Sequence, residues 1–212
     1  MNEEESVNID PQAEAPEQPE ERPKKKKGRR AYLEDIHRTA DGRYIYTGPC
    51  FAYDEEVNPR GSVLLRLWLL ILPAVAACVV SCCFNVPFMH NTWYTVGPYG
   101  FEFALIGTIV WALGRITVNG SILREYVRKQ TFGALPLRCW LAVGFAGIGM
   151  IGGIVYMLVH GTSYTFIETK VTVDQTFRCY AYLALKAVVI VCCAFTARFA
   201  PAVAWKETAE KV

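Results

Sequence analysis

The sequence predicts an all-α membrane protein: a four-helix transmembrane bundle with a disordered N-terminal tail. Three observations predict it. Four apolar stretches fill the last two-thirds of the 212-residue chain. The first 60 residues are polar and charged by contrast. The Lys and Arg residues outside the apolar stretches fall almost wholly on one side of the membrane those stretches imply. Net charge is only +2, so no general attraction to nucleic acid follows.

Residues 1–30 read as a disordered tail, acidic then basic. Residues 1–21 hold eight acids and no Lys or Arg. Such a segment buries too little apolar surface to offset its ordering entropy. The run Arg22-Pro23-Lys24-Lys25-Lys26-Lys27-Gly28-Arg29-Arg30 then reverses the charge abruptly. It suits anionic headgroups or a solvated tail that helps fix topology, and the second reading is favoured. Residues 31–61 read as a cytoplasmic juxtamembrane segment. A short helix is expected over 31–38. Asp41-Gly42 followed by Arg43-Tyr44-Ile45-Tyr46 suggests a small hairpin.

A transmembrane helix needs about 20 mostly apolar residues to cross a hydrocarbon core of ~30 Å. Residues 62–205 supply four such spans, near 62–86, 99–118, 140–159 and 180–199, with a cytoplasmic tail at 206–212. No cleavable signal peptide is expected, because the first apolar run starts near Val63. Arg66 and Arg115 sit close to span ends, where their long stems let the guanidinium snorkel to lipid headgroups. The third span is rich in glycine. Gly149 and Gly153 form a GxxxG pair that lets another backbone approach closely; packing within the bundle is favoured over a homodimer seam. Tyr and Trp cluster near the span ends, as an interfacial aromatic belt would require.

Of the 22 Lys and Arg residues, eighteen lie in the N-terminal tail, the second connection and the C-terminal end. Two, Lys170 and Arg178, lie in the third connection, and the first connection has none. The positive-inside rule therefore puts both termini in the cytoplasm, with the plasma membrane the natural location for spans of this length. On the outer face, 92–96 and 164–173 look strand-like and are expected to pair as a small cap.

Chemistry is sparse. Glu102 and Lys186 are the notable intramembrane charges, and charges in spans are functional candidates by default. An ion pair inside the bundle and separate snorkelling to the outer interface are equally expected. The eight cysteines include no C-x-x-C motif, and most lie in spans as small hydrophobes. A Cys82 or Cys83 disulfide to Cys179 requires Cα atoms within about 7 Å. His90 and His160 match no metal-ligand spacing, so no metal site or cofactor is expected. P-loop, dinucleotide-binding, zinc-protease, serine-hydrolase and kinase signatures are all missing. The expectation is a non-enzymatic accessory or assembly partner of a membrane complex, with lipid bilayer and a membrane-protein partner or second copy as its contacts. The alternative is a small transporter or channel subunit using Glu102 and Lys186.

Overall fold

The computed structural model describes residues 36–38, 44–46, 48–165 and 172–208. The acidic and basic tail expected at 1–30 lies outside the described residues. Strands β1 (Ile36–Arg38) and β2 (Tyr44–Tyr46) form an antiparallel hairpin, Ile36 opposite Tyr46. The helix expected over 31–38 is therefore strand at its described end. Pairing with the β-prone Tyr-Ile-Tyr segment outweighs a weak helical preference. Strand β3 (Cys50–Tyr53) follows.

Four helices are long and apolar enough to cross a membrane. Helix α1 (Arg60–Cys83) starts after Pro59 and runs through Pro73. A short α2 (Pro87–Asn91) leads into α3 (Trp93–Val118). Strand β4 (Ile122–Arg124) and α4 (Glu125–Gln130) connect α3 to α5 (Leu135–His160). Strands β5 (Ser163–Thr165) and β6 (Thr172–Asp174) precede α6 (Thr176–Phe199). A 3-10 turn (Ala200–Ala202) then leads to β7 (Trp205–Thr208).

The fold is mostly helical but not all-α. A three-stranded antiparallel sheet in the order β4-β3-β7 gathers the segments before α1, between α3 and α5, and after α6. Phe51 stands opposite Leu123 on one side and Glu207 on the other. The first three residues of the segment expected as a cytoplasmic tail, 206–208, are thus paired strand, and the rest of it lies outside the described residues. At the opposite end β5 and β6 pair with each other, Tyr164 opposite Val173. The strand-like 92–96 segment joins no cap; it opens α3. Its threonines explain why. Thr95 Oγ1 donates to the Phe88 carbonyl, and the Thr92 and Thr95 hydroxyls contact each other. Local hydroxyl bonds and burial against α5 override the strand preference.

Helix α5 packs along α3 and α6, and α6 packs along α1, so α3 and α6 stand diagonally across the bundle. Each long helix turns a narrow stripe inward. On α5 the buried positions include Leu135, Cys139, Ala142, Ala146, Gly149 and Gly153. On α3 they include Thr95, Tyr99, Glu102, Ile106, Ile109, Leu113 and Ile116. On α6 they include Cys179, Tyr182, Lys186, Val189, Cys193 and Thr196. Steps of three and four alternate, which is the 3.5-residue period of knobs-into-holes packing. Small residues on α5 let its neighbours come close, as in bundles where lipid and core are equally apolar. The opposite faces carry exposed Leu65, Leu69, Phe101, Trp111, Ile151 and Phe195.

Candidate functional site

Glu102 and Lys186 occupy the inward stripes of the two diagonal helices, so their side chains meet across the middle of the bundle. Lys186 Nζ donates to Glu102 Oε2 at 2.6 Å, and both side chains have 0% exposure. Helix α3 begins at Trp93, earlier than the span expected from 99, because Pro98 is accommodated within it. Glu102 therefore lies ~14 Å inside its helix at about 1.5 Å per residue.

Two aromatic rings flank the ammonium. Lys186 Nζ lies 4.2 Å from the Tyr99 ring centroid and 5.1 Å from that of Tyr182. A desolvated cation gains from the negative face of such rings, by roughly 2 kcal/mol or more at best. The Tyr99 hydroxyl donates to the Cys78 carbonyl at 2.9 Å, tying α3 to α1. The Tyr182 hydroxyl meets Met89 Sδ at 3.5 Å, and its ring packs edge-on against Phe88 at 5.1 Å. The carboxylate is less completely served. Cys78 lies beside it, yet Oε1 has no hydrogen-bond partner among the described residues.

Tyr99 and Tyr182 read from sequence as belt residues, but both are buried. The signal was available in spacing. Tyr99 stands three residues before Glu102 and Tyr182 four before Lys186, so each ring shares a helix face with its charge.

The other site residues are dispersed. Arg66 is exposed on α1, with its guanidinium 5.9 Å from the Phe199 ring. Arg115, in the last turn of α3, donates to Gln130 Oε1 at 3.0 Å. Gly149 and Gly153 are both buried but differ. A Cβ at Gly153 would meet Leu183 and Phe88 at 3.5 Å, ordinary contact, while one at Gly149 would meet nothing within 4 Å. The tight approach is at Gly152, where a Cβ would lie 3.0 Å from Thr95 Cγ2 and 3.1 Å from Tyr94 Cδ2. None of the eight cysteines forms a disulfide; Cys82 and Cys83 are exposed while Cys179 is buried. His160 is exposed, and the side chain of His90 lies outside the described residues.

The sheet end handles charge differently. Arg128 lies 3.9 Å over the Phe51 ring and 5.8 Å from that of Trp205. Arg60 donates to the Thr117 carbonyl at 2.9 Å. Lys206 pairs with Asp54 at 2.9 Å, and that hydrogen bond holds the Asp54 carboxyl below the usual carboxylate range. Burial pushes the Tyr53 hydroxyl well above its ordinary value. Cavities of about 240, 170 and 340 Å³ lie at this end, lined in part by Arg128, by Arg124, and by Arg115 with Arg138. Comparison with known protein families, curated sequences and solved structures finds no match for the chain.

Proposed function

We propose that this is a multi-pass membrane protein with both termini in the cytoplasm, most naturally of the plasma membrane, serving as a non-enzymatic accessory or assembly partner of a membrane complex. One observation carries the accessory reading above all: the strongest intramembrane charges neutralise each other at 2.6 Å with no exposed surface. A bundle locked across its diagonal is suited to holding a shape for a partner. Breaking such a pair would leave an uncompensated charge in the core, so motion there is costly. Four helices long and apolar enough to cross a membrane, with bulky apolar side chains on their outer faces, support the embedding. The positive-inside count supports the orientation, and the clustering of cations around the β4-β3-β7 end agrees with it.

A second reading rests on the Glu102 oxygen without a partner. A buried carboxylate with spare acceptor capacity is what a proton- or ion-coupled transporter or channel subunit would use.

Gentle detergent extraction of the tagged chain from its native membrane, followed by mass spectrometry of what co-purifies, tests the first reading. A stoichiometric membrane-protein partner is expected. A stable, partner-free oligomer would count against it. Purified protein in liposomes tests the second: a proton or cation flux that Glu102→Gln abolishes would replace the accessory reading with a transport one.

A further inference from the structure

We propose that the groove between α3 and α5 at the sheet end holds the phosphate headgroup of an anionic phospholipid, gripped by Arg115 and Arg138. The inference rests on the membrane reading above and adds a ligand to it.

The groove opens into a cavity of about 340 Å³ lined by Trp111, Arg115, Gln130, Thr131 and Arg138 among others. Two guanidiniums face it, and no carboxylate of the described residues lies within 4.0 Å of either. Arg115 uses one N–H on Gln130 Oε1, and Arg138 uses one on the Thr108 carbonyl at 3.2 Å. A guanidinium carries five N–H donors in a planar fork that fits phosphate oxygens in pairs. Most of that capacity in both residues remains for another acceptor.

Depth adds to the argument. The Thr108 carbonyl that anchors Arg138 lies ~15 Å short of the end of α3 at about 1.5 Å per residue. A cation drawn that far along an apolar helix is costly unless an anion accompanies it. The surroundings identify which anion. Trp111 is 74% exposed, so the groove is bordered by a large apolar side chain that acyl chains can cover. A headgroup phosphate brings its own hydrocarbon to that surface; a soluble phosphate does not. Trp at the headgroup level is itself a common interfacial anchor.

Native mass spectrometry of the full chain in detergent, titrated with phosphatidylglycerol or phosphatidylcholine, tests the site. The wild type is expected to retain phosphatidylglycerol in preference. The R115Q/R138Q double variant is expected to lose about thirtyfold in phosphatidylglycerol affinity, given ~1 kcal/mol per cation near a lipid surface. R178Q/R198Q, which removes two exposed cations outside the cavity, is expected to keep the preference. In a second readout, independent of the arginine variants folding, brominated phosphatidylglycerol should quench the wild-type tryptophan emission, and W111F should lose most of that quenching. Equal retention of the two lipids would overturn the proposal. So would an equal loss in R178Q/R198Q, quenching unchanged in W111F, or displacement of the lipid by millimolar inorganic phosphate, which would point to a soluble anion. The membrane reading fails separately, if the folded chain stays in solution without detergent.

Discussion

Glu102 and Lys186, in the half of the bundle away from the sheet, have no exposed side-chain surface and pair with each other at 2.6 Å. At the sheet end the cations are partly exposed and lean on whatever is near: Arg128 on two aromatic rings, Arg60 and Arg138 on helix carbonyls, Lys206 on Asp54. The same charge types thus do different jobs. Sealed from solvent, one pair fixes the relative setting of two diagonal helices. In contact with water or headgroups, many cations each contribute little and are screened by salt. Location, more than number, decides what a charge contributes.

The sharpest way to break this contrast is to break the pair. Lys186→Met leaves the Glu102 carboxylate unpaired and is expected to cost about 3–5 kcal/mol, whereas Glu102→Leu with Lys186→Met should recover most of that loss. Unfolding in mixed micelles by increasing denaturing detergent measures both. A single-variant loss below about 1 kcal/mol would put the pair in the class of exposed ones and erase the distinction.

A smaller effect sharpens the packing side of the comparison. Gly152→Val forces a side chain against Thr95, whose hydroxyl is held by the Phe88 carbonyl, and should cost about 1–3 kcal/mol. Gly149→Ala enters open space and should be neutral or stabilising by up to about 1 kcal/mol, the helix-propensity gain. The same titration reads both; equal losses would mean that crowding at Gly152 is not what limits substitution.

The smallest effect belongs to the sheet. Lys206 lowers the Asp54 pKa in the folded chain. Stability from a depressed carboxylate is present above its unfolded pKa of about 3.9 and fades as pH falls through the folded value. Asp54→Asn should therefore lower Tm slightly at pH 7, and the difference should shrink as pH falls below about 3.9. A gap between variant and wild type that persists in acid would mean that Asp54 acts through something other than its charge.

The long helices were legible because length and hydropathy suffice to find a span. Their ends were not. Pro98 and Pro136 look like breaks, yet α3 and α5 include them and run outward past the expected limits. The sheet was less legible still. Ile122–Arg124 and Trp205–Thr208 are too short to display alternation, and their partner β3 lies far away in sequence. For the candidate site, the two charges stood out in apolar surroundings, but sequence left pairing and snorkelling evenly matched. Heptad spacing within each helix identifies the inward faces; which helices stand diagonally is a property of the assembled bundle.

Strand β3 is synthesised ahead of every long helix, yet one of its neighbours follows two long helices later and the other arrives only after the fourth long helix. One of its edges stays open until translation of β7 is complete. Closure of the sheet is thus a late event that a half-made chain cannot mimic, and a quality-control factor that recognises unpaired strand edges would have a direct way to tell unfinished chains from finished ones.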